Sequence, residues 1–216
     1  MGRSPVFFCL HLVTECVKLR KKGGIAMKTD YMVLINSANP MPEGYEDTVE
    51  RITVQNCVGT QYEVEKKTYE AFLRLQKDVL ENDGIQTDLI SAYRTVASQT
   101  ASYNYYMETM GPEYTNTYVA KPGHSEHHTG IAIDVGILVD GKLLTRVEDL
   151  LKVDHLFHII HAKLSKYGFI LRYPKGKEAI TGIGYECWHF RYIDSPEIAN
   201  AIAQQGLCFE EYWQTK

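Results

Sequence analysis

PGHSEHHTGIAIDVG, residues 122–136, sets a crowd of ionisable side chains against an apolar, β-branched run. Residues 131–138 read as a strand, because branched apolar residues alternate there with small or polar ones. Successive side chains on a strand point to opposite faces, so Ile131, Ile133 and Val135 share one face and Ala132 and Asp134 the other. Asp134 then presents a carboxylate beside a small neighbour, with room above it for something to bind. His127 stands seven positions earlier, which on an unbroken strand is the opposite face. A bend at Thr129-Gly130 is required to return it to the side of Asp134, and glycine permits one. An imidazole nitrogen and a carboxylate oxygen are two of the donors that zinc takes. The same spacing also suits a plain polar loop, with Asp134 paired to an arginine.

A second polar group lies at ECWHFRY, residues 186–192. His189 offers a further nitrogen donor, and Glu186 a carboxylate that need not bind metal. A hydrolytic zinc site needs three protein donors, an open position for water and a separate base. Residues three apart on a regular strand face opposite ways, so Glu186 must sit at a bend, which Gly182 and Gly184 upstream allow. The alternative is a sheet strand with Trp188 in the core and Glu186 paired to Arg191. Arg94 ends an uncharged strand; it suits either an oxyanion-stabilising role or a structural ion pair. His155, His158 and His161 fan round a helix at about 60° steps and do not converge. No HExxH, GxSxG or CxxC pattern occurs.

The rest of the chain supplies an α+β frame. Strands are expected at residues 31–35, 87–93, 131–138, 169–173 and 186–193, with a hairpin turn at residues 139–142. From Val64 on, a helix with an apolar stripe at Val64, Ala71, Phe72, Leu75 and Val79 stops at Gly84. Thr95 caps a second helix that ends at Gly111-Pro112, and residues 113–129 are expected to be loop. Thr145 and Glu148 match a capping box for a third helix, to Tyr167, and Ser195-Pro196 starts a fourth. Neighbouring strands and separated helices imply a small, mainly antiparallel sheet flanked by helices. Residues 27–216 are expected to form one domain, with residues 1–26 as an extension outside it.

Composition narrows the classes of function. A net charge of −4 gives no footprint for nucleic acid. Residues 6–17 are too short and too polar to span a bilayer, so no transmembrane segment is expected. Lys18, Arg20, Lys21 and Lys22 follow, which favours retention in the cytoplasm. The five cysteines are scattered and unpaired by spacing, as in a reducing compartment.

These motifs together resemble the VanY/VanX-type zinc D-Ala-D-Ala peptidases. SEHHTGIAID resembles that family's SxHxxGxAxD motif, ECWH its ExWH motif, and SAYRTVASQ its upstream YR segment; the likeness spans residues 31–192. Ala92 and Cys187 depart from residues common there and touch no expected ligand. The resemblance implies one zinc ion bound by His127, Asp134 and His189, with Glu186 as general base and Arg94 at the oxyanion. It implies that Ser125 and Gln99 contact the C-terminal D-residue of the substrate. That substrate is expected to be a peptidoglycan precursor peptide or the D-Ala-D-Ala dipeptide, whose removal depletes the target of vancomycin. His124, His128 and Glu126 are left supporting or surface roles. L,D-carboxypeptidase action on tetrapeptides, a phage-type endopeptidase and a non-catalytic zinc-stabilised module stand as alternatives on the same scaffold.

Overall fold

The strand foreseen in the middle of the chain is the centre of the molecule. The computed structural model describes residues 13–16 and 28–216. Among these, β5 (Ala132–Val139) lies between β4 (Thr87–Ser91) and β8 (His189–Tyr192), with β7 (Phe169–Leu171) beyond β8. A short β6 (Lys142–Leu143) returns along the end of β5 through a turn at Asp140-Gly141. A second sheet pairs β1 (Val13–Cys16), β2 (Arg51–Gln55) and β3 (Gln61–Glu65). Every pairing is antiparallel. This is the α+β architecture that the alternation pattern implies.

Eight helices complete the described residues: α1 (Lys66–Asp83), α2 (Val96–Thr109), α3 (Gly111–Tyr118), α4 (Val147–Lys152), α5 (Asp154–Leu164), α6 (Glu178–Thr181), α7 (Pro196–Gln204) and α8 (Phe209–Trp213). Phe72, Leu75 and Val79 of α1 and Phe157 and Ile160 of α5 share a core with Ile131, just before β5, and with Ile133 and Val135 of β5. The inward face of β5 is therefore the one that alternation assigns. Gly84 closes α1 in the left-handed conformation, and the Thr95 hydroxyl accepts from Ser98 N at the start of α2, as expected. Val64, expected on the α1 stripe, lies instead in β3, because Glu65 caps the helix only from Lys66 on.

Several elements differ from expectation, each for a physical reason. Residues 31–35 form no strand: Arg191 Nη2 donates to the carbonyls of Tyr31 and Val33, so side chains take the place of a neighbouring strand. Gly111-Pro112 does not lead into a loop but opens α3, since proline in a first turn lacks only an N–H that would find no helical partner. The capping box at Thr145 is not made; α4 begins at Val147 with Arg146 as an N-cap that gives no side-chain bond, and Val153 separates α4 from α5. The β2–β3 hairpin and α8 went unread. The hairpin's signal was present, in the alternation of RITVQ before an Asn56–Gly59 turn. Within the segment expected outside the fold, Val13–Cys16 pairs with β2; its other residues lie outside the described ones.

Candidate metal centre

Strand register brings the site together. On neighbouring strands Asp134 stands directly opposite His189, so the two side chains emerge side by side on one face. His127 arrives from a 3-10 turn, Glu126–Thr129, capped by the Ser125 hydroxyl and closed by Gly130 at φ 73°. The required bend is thus made at Gly130. Donor atoms of His127, Asp134 and His189 all lie within 4.8 Å of one another. His127 Nε2 is 3.2 Å from Asp134 Oδ2, and His189 Nδ1 is 3.0 Å from Asp134 Oδ1. Asp134 Oδ1 nevertheless makes no hydrogen bond, so these atoms converge on a shared point without satisfying one another. Donor atoms arranged in this way could hold a metal ion.

The orientation of His127 is set from behind. Its Nδ1 donates to the Ala92 carbonyl at 2.7 Å, which leaves the Nε2 lone pair facing Asp134. Burial lowers the proton affinity of His127 against the pull of Asp134, so the neutral, metal-binding form is favoured. Burial also opposes a charge on His189, but Asp134 and Glu126 outweigh it and push its pKa up to about 9. Surroundings that favour positive charge at this ring also suit a cation beside it. Asp134 is kept well below the usual carboxylate range; burial opposes this, and His127 and His189 prevail.

Glu186 precedes β8 at a turn in which His189 N donates to the Glu186 carbonyl at 3.4 Å. Its carboxylate reaches within 3.5 Å of His189 Nδ1. Burial pushes it up to about 8, with Asp134 adding to the shift and His189 opposing it. It does not pair with Arg191, which turns instead to Glu126. Arg94 donates from Nη1 to Gln99 Oε1 at 2.8 Å and from Nη2 to Ser91 Oγ at 3.0 Å. Gln99 Nε2 in turn donates to the Ala120 carbonyl. Arg94, Gln99, Ser125, Glu186 and the three donor residues line one cavity of about 330 Å³, whose lining also includes Tyr106, Tyr114 and Tyr118. A volume of that order fits a dipeptide-sized ligand.

Among the described residues, the other histidines stay out of the cluster. His124 and His128 donate to the carbonyls of Asn36 and Arg94, and His128 also accepts from Gly123 N. His161 donates to the Cys187 carbonyl at 2.8 Å. Glu126 is no surface residue: it is fully buried between Arg172 and Arg191. Nothing in its neighbours along the chain announces this, because both arginines come from strands or strand ends far downstream.

A small antiparallel sheet that brings two imidazoles and a carboxylate around one point, with a second carboxylate beside them, has the donor set of a metallopeptidase of the three-donor class. Residues 61–195 match the family model for VanY, D-alanyl-D-alanine carboxypeptidase, and the chain belongs to that family. A bifunctional D-Ala-D-Ala dipeptidase and carboxypeptidase of Enterococcus gallinarum, VanXYC, is 40% identical over 134 residues, covering 60% of this chain and 68% of the relative. The D,D-pentapeptidase VanY of a VanB-type resistance cassette, solved as a variant with Zn(II), is 31% identical with a TM-score of 0.68, over 84% of this chain and 98% of that one. The D,D-dipeptidase VanXYg, solved with a D-Ala-D-Ala phosphinate analogue, is 26% identical with a TM-score of 0.70, over 86% of this chain and 70% of that one. Among the described residues no helix is long and apolar enough to cross a membrane.

Proposed function

We propose that this chain is a zinc-dependent D,D-carboxypeptidase that removes terminal D-Ala from peptidoglycan precursor peptides, D-Ala-D-Ala included. The observation that carries this reading is the convergence of His127, Asp134 and His189 with Glu186 at its edge. One zinc ion held by these three donors supplies Lewis acidity towards a carbonyl and acidifies water. Glu186 is placed to take the proton of the attacking water and to return it to the departing D-Ala amine. A cation held by the neighbouring donors would counter its raised pKa and favour the ionised base. Arg94, held by Gln99 and Ser91, aims its guanidinium at the cavity, where negative charge on the scissile carbonyl oxygen develops. Ser125 and Gln99 form the wall for the C-terminal D-residue. Because both ends of the Gln99 amide are already engaged, its contribution reaches the substrate through Arg94.

The test is a panel of D-Ala-D-Ala, a pentapeptide ending in D-Ala-D-Ala and a tetrapeptide, each with the zinc-loaded protein. Release of D-Ala from the first two is expected. Release from the tetrapeptide alone would move the assignment to L,D-carboxypeptidase. Glu186→Ala is expected to keep zinc and lose about 10²–10⁴-fold in rate, whereas His127→Ala and His189→Ala lose the metal. Metal binding without turnover of any peptide would make the protein a binding module. We place the reaction in the cytoplasm because of the basic run at Lys18, Arg20, Lys21 and Lys22; fractionation of expressing cells checks this.

A further inference from the structure

Behind the donor cluster lies a buried ionic network that the reaction does not use. Glu126 Oε1 accepts from Arg172 Nε at 2.7 Å and from Arg191 Nη1 at 2.8 Å. Arg172 is gripped in turn by both carboxylate oxygens of Glu210, on α8, at 2.6 and 2.8 Å. Arg191 is tied to the carbonyls of Tyr31 and Val33. Arg172, Arg191 and Glu126 have no solvent-exposed side-chain surface. Two guanidiniums and two carboxylates balance, so the cluster is neutral as it stands.

One edge of it is left over. Glu126 Oε2 makes no hydrogen bond, and neither does His189 Nε2. They face each other across 3.8 Å, on the side of the ring away from Asp134 and Glu186. A carboxylate pinned on one oxygen by two arginines cannot rotate away, and its other oxygen is an acceptor with an N–H as its natural complement. We propose that Glu126 is the positioning residue of the metal centre: it holds His189 as the Nε2–H tautomer, so that Nδ1 is the metal donor. The pairing is a carboxylate–histidine–metal relay, in which the outer carboxylate fixes ring orientation and raises the basicity of the donor nitrogen. His127 receives the same service from the Ala92 carbonyl. The two imidazoles therefore bind through opposite nitrogens, each set by what stands behind it.

This inference rests on the zinc reading above. It predicts an instructive failure for Glu126→Gln. The amide must offer its oxygen to the two arginines, so its NH2 turns to His189 and demands a lone pair at Nε2. The ring proton then moves to Nδ1, where the metal belongs. The control is Glu210→Gln, which weakens the same network without facing His189.

The experiment is a zinc titration against a chromophoric chelator, on variants shown by circular dichroism to be folded, with ¹⁵N-histidine NMR of the zinc-loaded wild type. Glu126→Gln is expected to bind zinc about 10–100-fold more weakly, while Glu210→Gln stays within about two-fold of wild type. The ring spectrum should show zinc on Nδ1 of His189 and a slowly exchanging proton on Nε2. Wild-type affinity in folded Glu126→Gln, an equal loss in Glu210→Gln, or zinc on Nε2 would each overturn the proposal. Should Glu126→Gln not fold, the wild-type spectrum decides alone. A wild-type protein that binds no zinc would instead remove the underlying reading, and that appears before any variant is made.

Discussion

Arg94 shows how far a single side chain depends on geometry that its charge does not describe. Its two terminal nitrogens go to Gln99 and Ser91, and its backbone N–H goes to the His127 carbonyl. The guanidinium is thus a fixed fork tied to the turn that carries a metal donor. Lysine keeps the charge but not the fork. Arg94→Lys is expected to lower kcat by about 10–100-fold with zinc affinity unchanged, the loss typical of a misplaced oxyanion donor. A variant with wild-type kcat would show that the guanidinium does not touch the reacting carbonyl. At this scale the convergence of His127 with Asp134 is legible in the sequence, because strand alternation and one glycine constrain both residues locally. Glu126 was not, since its partners lie 46 and 65 positions away and nothing in SEHH distinguishes a buried glutamate from a surface one.

The elements owe their placement to a few points where backbone meets backbone. At Gly136, in the middle of β5, a Cβ would collide with the Leu144 carbonyl oxygen and come within 2.7 Å of the Ile90 side chain. Backbone cannot give way as a flexible side chain does, so Gly136→Ala must push β6 off β5. A loss of about 1–3 kcal/mol in stability is expected, read as a lower urea midpoint, with weaker zinc binding because Asp134 lies two residues along the same strand. An unchanged midpoint would mean that β6 is free to move. Strands with one buried face, such as β5, could be read from their period. Residues 31–35 could not, because what satisfies their carbonyls is Arg191, as far as 160 positions away. The helix over residues 111–118 was hidden by the ordinary reading of Gly-Pro as a stop.

For the molecule as a whole, acid should be felt first through a histidine outside the metal centre. Burial pushes His161 down to about 4, against its hydrogen bond to the Cys187 carbonyl. An unfolded histidine titrates near about 6.5. Between these values the unfolded chain binds a proton that the folded one does not, so stability falls as pH drops through that window. The shift corresponds to a loss of about 3 kcal/mol by pH ~4. Below that, Asp78 and Glu126 take over. The Asp78 carboxyl is held down by Lys163, Lys166 and Tyr167. For Glu126 burial works the other way, and Arg172 and Arg191 prevail. The stability both carboxylates contribute is present above the usual carboxylate range and lost below it. Urea midpoints of metal-free wild type and His161→Gln, compared between pH about 7.5 and about 4.5, check the first part; equal slopes would count against it.

If His127, Asp134 and His189 hold one zinc ion as proposed, the pairing of Asp134 with His189 also makes the metal a gauge of how the chain has folded. A slip of β8 by one residue along β5 would turn His189 to the other face and bring Phe190 or Trp188 opposite Asp134. Such a chain would retain the composition, the mass and much of the secondary structure of the native one, yet it would have no third donor. Zinc stoichiometry in a refolded preparation therefore counts correctly registered molecules directly. Chains whose central strands close one step out of place are expected to lower that stoichiometry.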